Sequence, residues 1–226
     1  MPQLVFFIVF AFIAASFVLW RLLKDDYPEE EIITFTILFT FFALLSGRVF
    51  YIADHFSAFD FQFSKWLFWY RFPGFSLAGA FWGGALFSFW RAKKKDWDAW
   101  LLADAVIRAL VWAVLLGGVG FYLVAMENSS LFKLVWALIV FLLSFIIIRR
   151  YRKFVWYKSG KPGFIACFTT ALYFLGLFVL DFSQGSQLYF NLGGSISLVT
   201  LALVFLYLRS DRKLKEDLAG LIRFPK

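Results

Sequence analysis

The chain has 226 residues, of which 62% are apolar and only 17% are charged, whereas about a quarter of the residues of a soluble domain are charged. This composition excludes an ordinary soluble enzyme and predicts an all-α, polytopic membrane protein. The net charge of +8 lies mainly between the apolar runs, which favours a membrane surface over nucleic acid as the partner.

Seven continuous apolar runs follow one another, most of them near the length of about 20 residues that a helix needs to cross a bilayer. We therefore predict a single domain, residues 1–226, with seven transmembrane helices. The first run lacks a basic leading segment and a clear cleavage site, so we interpret it as a retained helix rather than a signal peptide. The predicted spans are 4–23, 32–53, 75–90, 100–126, 131–148, 163–180 and 188–208.

Basic residues collect in alternate loops. Four lie within 91–95, six within 149–161 and six in the tail from Arg209 onward, whereas the loops after the second, fourth and sixth runs contain few. Because Lys and Arg are retained on the cytoplasmic side of a membrane, this pattern predicts an outer N-terminus and a cytoplasmic C-terminus. The loop at 24–31 is acidic, but the rule counts basic residues and not net charge.

The second run carries Arg48 several residues before its end, where a charge is costly in hydrocarbon. Two interpretations stay open. The side chain can extend along its stem until the guanidinium meets water or a lipid phosphate at the membrane surface. Alternatively, it faces the helix bundle and holds an anionic headgroup, because a guanidinium binds phosphate in a bidentate manner. Asp181 could then be its partner across the bundle.

Other polar residues also stand out. Asp104 and Arg108 are one helical turn apart, which predicts a structural ion pair. His55 is the only histidine and ends the second run, where a solvated interfacial residue and a catalytic base are both open interpretations. With one His and one Cys, Cys167, the chain offers no transition-metal ligand set, and it has no glycine-rich phosphate loop. We expect no metal, no cofactor and no nucleic acid.

Four segments occur in an informative order: DYPEEEI at 26–32, SGRVFYIADHF at 46–56, PGFSLAGAFWGG at 73–84 and KPGFIACFTTALYFLGLFVLDFSQ at 161–184. Together they resemble the bacterial prolipoprotein diacylglyceryl transferases. The resemblance implies a bacterial plasma-membrane (inner-membrane) protein with seven spans and an outer N-terminus, which agrees with the count of basic residues. It also implies a reaction in which the diacylglyceryl group of phosphatidylglycerol moves to a cysteine thiol of a preprolipoprotein and glycerol phosphate leaves.

The positions that match the family pattern are Gly47, Arg48, Tyr51, Asp104 and the carboxylate of Asp181. Of these, the resemblance implies that Arg48 and Tyr51 bind the lipid headgroup.

Several family positions are substituted. The family's histidine falls on Ala78, and two of its arginines fall on Gly118 and Leu177. The glutamate of its signature falls on Met126, with Glu127 one place away. Because such cations stabilise the charge that develops on a departing phosphate, each loss is expected to be damaging.

Three hypotheses follow. The chain is a diverged, active transferase that works with His55, Glu127 and Asp181 as its remaining catalytic candidates. Alternatively, it has lost catalysis and keeps a lipid-binding cavity, as a partner of lipoprotein-processing or envelope proteins. The third hypothesis is a small membrane transporter or envelope-assembly subunit with no lipid chemistry.

Overall fold

The computed structural model describes residues 2–59, 65–66, 74–154, 157, 159–183 and 189–211, with side chains from residue 4 onward. Within these ranges the predicted all-α class is confirmed, because the elements are helices and none is a strand. The part of the predicted basic tail from Arg212 to Lys226, and Lys158 of the preceding basic loop, lie outside the described residues.

Seven long helices and two short helical segments are described. The long helices alternate in direction, as expected for a chain that repeatedly crosses a membrane. In chain order the helices are α1 (Pro2–Leu23), α2 (Glu29–Asp54), α3 (Phe56–Phe59), α4 (Leu77–Lys94), α5 (Ala99–Ala125), α6 (Asn128–Arg150), a 3₁₀ turn (Tyr151–Lys153), α7 (Phe164–Ser183) and α8 (Tyr189–Arg209).

Six of the described helices are long and apolar enough to cross a membrane: α1, α2, α5, α6, α7 and α8. The third predicted span, 75–90, corresponds to α4, which is 18 residues long and carries Arg91, Lys93 and Lys94 in its last turn. These charges shorten its apolar part, so α4 is not one of the six. A count of seven spans therefore stays a prediction.

The helix boundaries follow from local chemistry. The second helix begins at Glu29, three residues before the predicted start, because Pro28 takes the N-cap position and three glutamates fill the first turn. Glutamates are favourable there since the exposed N–H groups of a helix start carry partial positive charge. The fifth helix is capped by Asp98, whose Oδ1 accepts from the N–H groups of Trp100 and Leu101.

Close helix packing is set by small residues. The α4 glycines Gly79 and Gly83 lie directly against Phe50 and Ser46 of α2, so that a side chain at either position would collide with α2. Ser46 Oγ also donates a hydrogen bond of 2.8 Å to the carbonyl of Gly79. Such small-residue contacts are a usual means of joining transmembrane helices. Two other helix pairs, α1 with α5 and α7 with α8, also pack against each other.

Two ends of the bundle are named from here on. At the cavity end, α2, α5 and α7 finish and α4, α6 and α8 begin. At the closed end, α4, α6 and α8 finish and α2, α5 and α7 begin. The closed end contains a large apolar core that includes Leu23, Ile32, Phe35 and Leu102, which are fully buried.

Candidate functional site

A cavity of about 210 Å³ lies at the cavity end, between α2, α4, α6, α7 and α8. Its lining combines apolar side chains, such as Ala78 and Leu177, with many polar ones. A cavity of this size is smaller than the pockets of about 300–1,000 Å³ that enclose drug-sized ligands. The polar residues that line it are Tyr51, Asp54, His55, Ser76, Lys133, Tyr173, Asp181, Asn191 and Ser195.

Asn191, in the first turn of α8, joins three helices at this cavity. Its side-chain amide donates a hydrogen bond of 2.9 Å to Asp181 Oδ2 at the end of α7. Its amide oxygen accepts one of 2.9 Å from the hydroxyl of Ser76, which also caps α4 by accepting from Gly79 N–H. The cavity wall is therefore held by hydrogen bonds that fix the carboxylate of Asp181 on one side.

Asp54, the last residue of α2, caps a different helix. Its two oxygens accept from the backbone N–H groups of Phe190 at 2.7 Å and Asn191 at 2.9 Å, at the start of α8. A carboxylate at a helix start is stabilised both by these hydrogen bonds and by the helix dipole. Both carboxylate oxygens of Asp54 therefore already accept hydrogen bonds from the backbone.

His55 lines the cavity with one ring nitrogen already assigned. Its Nδ1 lies 3.0 Å from the carbonyl oxygen of Tyr51, and because a carbonyl can only accept, Nδ1 carries the hydrogen. The ring stacks on Tyr51 with centroids 4.2 Å apart. In the neutral imidazole this leaves Nε2 with its lone pair, able to accept a proton or a hydrogen bond.

Lys133, in the second turn of α6, brings a positive charge to the cavity. Its ammonium is close enough to Asp181 for a favourable charge–charge interaction. In the described part of the chain it makes no hydrogen bond and no ion pair within 4 Å. It is therefore a cation that the described residues leave available for a ligand.

Arg48 lies beside the cavity and not among its described lining residues. Its guanidinium donates to three backbone carbonyls, those of Lys65 at 3.2 Å, Trp66 at 3.4 Å and Gly74 at 3.0 Å. It also lies 4.9 Å from the ring centre of Phe59. Arg48 is half-buried and faces protein, and three of its five N–H donors hold the chain that leads into α4.

A second polar cluster lies at the closed end. Asp104 is buried, and its two oxygens accept from Gly163 N–H and Ala166 N–H, both at 2.8 Å, at the start of α7. The guanidinium of Arg209 donates to the carbonyl of Pro162 at 2.7 and 3.1 Å and covers the ring of Trp100. This cluster joins α5, α7 and α8.

Asp104 and Arg108, predicted as a structural ion pair, are close enough for their charges to attract each other, but the hydrogen bonds of Asp104 go to α7. Both carboxylate oxygens of Asp104 are directed to α7, and no ion pair joins the two residues in the ranges that the structure describes. Arg108 Nε is buried without a hydrogen-bond partner there. Nearby, burial raises the pKa of Tyr157, so its hydroxyl stays protonated and donates to the carbonyl of Lys161 at 3.0 Å.

The structure brings only some of the predicted site residues together. Tyr51, His55 and Asp181 line the cavity, whereas Glu127 does not. Glu127 takes the N-cap position of α6, and its described hydrogen bonds are to Ser129, Ser130 and the N–H group of Leu131. It therefore serves the tight turn between α5 and α6.

Of the positions at which the chain departs from the family pattern, some lie at the cavity and others do not. Ala78 and Leu177 both lie in the cavity wall, whereas Gly118 lies mid-helix near Leu134 and outside the cavity.

Lys133 and Asn191 line the cavity but were not predicted as site residues. The sequence did hold a signal for Lys133, because it is a basic residue beside a loop that the orientation rule expects to be poor in them. Asn191 gives no comparable signal, since two of its hydrogen-bond partners, Ser76 and Asp54, are more than 100 positions away in the chain.

A model of the family described as prolipoprotein diacylglyceryl transferase matches residues 5–126, slightly more than half of the chain. The match runs from α1 to the end of α5 and includes the cavity walls formed by α2 and α4. The comparison with curated proteins found no match.

Proposed function

The chain belongs to the prolipoprotein diacylglyceryl transferase family, and from that premise we propose that its cavity binds the headgroup of a glycerophospholipid. The observation that supports this most is the cavity itself, which combines an available cation, Lys133, with fixed hydrogen-bonding groups. An ammonium is a point charge that suits a phosphate oxygen. Tyr51 and Ser195 add polar groups to the same wall.

The volume of the cavity suits a headgroup rather than a whole lipid. A protein cavity of about 150 Å³ accommodates benzene, which has six heavy atoms, so a cavity of about 210 Å³ accommodates a group of eight or nine. That is the size of a phosphate ester with a short alcohol. The acyl chains would then remain among the apolar side chains that the helices expose, such as Phe75 and Phe190.

The chain is a multi-pass membrane protein, since six described helices can cross a bilayer and the family is a membrane family. We propose that α4 also crosses the membrane, which brings the number of spans to seven. We propose further that the protein lies in the bacterial inner membrane with an outer N-terminus. The cavity end then faces the outer leaflet, because α1 begins there. This orientation gives the cavity direct access to lipids and to exported proteins of that leaflet.

In the family's reaction, a cysteine thiol of a preprolipoprotein attacks the diacylglyceryl group of phosphatidylglycerol. In this chain the available groups would be His55 Nε2 to accept the thiol proton and Lys133 to stabilise the phosphate that leaves. Ala78 and Leu177 supply no charge, so at these two positions the cavity lacks the cations that the resemblance implies. We therefore propose that lipid binding is retained and that transfer is slow or lost.

The headgroup contact predicted for Arg48 takes a different form in this proposal. Arg48 holds the wall at Lys65, Trp66 and Gly74, and Lys133 meets the phosphate. Arg48→Ala would then alter lipid binding only through the shape of the wall, whereas Lys133→Gln would remove the charge itself.

Two measurements on the full chain test the proposal. The first quantifies the phospholipid that co-purifies with the wild type and with Lys133→Gln, and the proposal expects several-fold less lipid on the variant. The second follows transfer of a labelled diacylglyceryl group from phosphatidylglycerol to a lipobox peptide, for which we expect a low or undetectable rate. Equal lipid retention by the two proteins would exclude the binding function, whereas rapid transfer would exclude the proposed loss of catalysis.

A further inference from the structure

Among the described residues that line the cavity, carboxylates outnumber ammonium groups. Asp54 and Asp181 carry carboxylates and Lys133 carries an ammonium, and the imidazole of His55 lies beside them. Asp54 is already compensated by the start of α8, since both its oxygens accept backbone N–H groups. In the described part of the wall, the effective pair is therefore one cation, Lys133, and one carboxylate, Asp181.

Asp181 has bonding capacity to spare. Its Oδ2 accepts from the side-chain amide of Asn191, and among the described residues no hydrogen bond reaches Oδ1. The Asn191 amide also holds the carboxylate in place, because the amide oxygen is fixed by Ser76. A fixed carboxylate with an open oxygen in a cavity recognises a donor group, and it prefers one with a positive charge.

A phosphate alone does not satisfy this pair. Lys133 would neutralise the phosphate, but Asp181 would remain unpaired near an anion, and a like charge there is unfavourable. A headgroup with a phosphate and an ammonium places one charge opposite each protein group. A glycerol headgroup offers Asp181 only neutral hydroxyl donors, which make weaker hydrogen bonds to a carboxylate than an ammonium does.

We infer that Asp181 reads the distal end of the headgroup, so that this cavity prefers a phosphodiester ending in a primary ammonium, such as an ethanolamine phospholipid, over one ending in glycerol. This inference rests on the proposed function and specifies the lipid that the same site binds. A phosphoethanolamine group has eight heavy atoms, which fits the size of the cavity derived above. The preference expected for one partly exposed charge pair is about two- to fivefold.

The test is lipid competition on the detergent-solubilised full chain. The protein is exchanged into an equimolar mixture of phosphatidylethanolamine and phosphatidylglycerol with the same acyl chains, and the retained lipids are quantified by mass spectrometry. We expect a ratio of about two to five in favour of the ethanolamine lipid. Asp181→Asn should bring the ratio to one, and Asp181→Glu, which keeps the charge, should retain a preference.

Two controls keep the outcomes distinct. Lys93→Gln changes an exposed lysine at the closed end and should alter neither the ratio nor the total. Lys133→Gln should lower the total lipid, and an unchanged total would overturn the proposed function. If Lys133→Gln lowers the total but the wild type shows no preference for ethanolamine, or if Asp181→Asn preserves the preference, the inference about Asp181 alone is overturned.

Discussion

The two ends of the bundle use the same device with different results. At the closed end, Asp104 on α5 caps the start of α7 with both carboxylate oxygens. At the cavity end, Asp54 on α2 caps the start of α8 in the same way. Asp104 is 6% exposed and packed among apolar groups, whereas Asp54 is half-buried beside an open cavity.

The difference lies in what remains after the helix is capped. At the closed end the guanidinium of Arg209 donates hydrogen bonds to the carbonyl of Pro162, so the polar groups there stabilise the bundle. At the cavity end the ammonium of Lys133 and one oxygen of Asp181 keep no described partner. A cation and a carboxylate oxygen that face the same cavity without protein partners are groups to which a charged ligand can bind.

The largest expected effect separates the two capping aspartates. Asp104→Ala leaves two buried N–H groups without acceptors, at about 1–3 kcal/mol each, so we expect the free energy of unfolding to fall by about 2–5 kcal/mol. Asp54→Ala leaves the N–H groups of Phe190 and Asn191 open to water. It should lower the free energy of unfolding by about 1 kcal/mol, as for a typical helix cap. Chemical unfolding of both variants in one detergent gives the comparison, and equal losses would contradict it.

A second effect concerns glycines at the closed end. Gly163 has φ of +104°, and a Cβ there would meet the ring of Trp100, whereas Gly160 has φ of +59° and open space around it. We expect Gly163→Ala to lower the free energy of unfolding by about 2–3 kcal/mol and Gly160→Ala by about 1 kcal/mol. Thermal unfolding of the matched pair measures the difference. A larger loss for Gly160→Ala would refute the tight packing of α7 on Trp100.

A third effect tests whether Arg48 is a wall residue. Arg48→Lys keeps the charge but cannot reach three carbonyls at once, because an ammonium lacks the planar fork of a guanidinium. We expect a loss of about 1–2 kcal/mol in the free energy of unfolding. The control, Arg152→Lys, changes an exposed arginine at the closed end and should leave the unfolding midpoint unchanged. An Arg48→Lys variant that unfolds like the wild type but retains less lipid would favour the headgroup role instead.

The smallest effect on stability is expected at Lys133. Its side chain is exposed and unpaired in the described ranges, so Lys133→Gln should change the free energy of unfolding by less than about 0.5 kcal/mol. Co-purified lipid should nevertheless fall several-fold, as expected when an exposed charge that binds a phosphate is removed. A variant that loses stability and lipid together would show that Lys133 supports the fold rather than the ligand.

Much of the fold could be predicted from sequence, because apolar runs are local. The predicted spans agree with the described helices to within about three residues at most ends, and the early start of α2 is explained by the glutamates after Pro28. The predicted orientation depends on the basic loops, and no structural feature tests it. The third span is the least certain from sequence, since α4 mixes apolar residues with three basic ones.

The site could be predicted only in part, because its geometry depends on contacts between distant residues. Arg48 was recognised as unusual, but its partners are backbone carbonyls 17 to 26 positions away. Because every residue has a backbone carbonyl, a sequence does not show which carbonyls a side chain binds. For Asp104 the local rule of i,i+4 pairing gave a different partner from the one in the structure. His55 was identified as a candidate because it is the only histidine in the sequence, and Asp181 because its carboxylate matches the family pattern.

The most direct test of the central claim is to find where a lipid headgroup binds. A phospholipid with a photoreactive group on its headgroup would be irradiated with the full-length wild type, and the labelled peptides would be mapped by mass spectrometry. We expect labelling near Tyr51, His55 and Lys133, with competition by unlabelled phospholipid and a loss in Lys133→Gln. Labelling confined to the closed end, near Arg91 or Arg209, would contradict the assignment of the cavity as the lipid site.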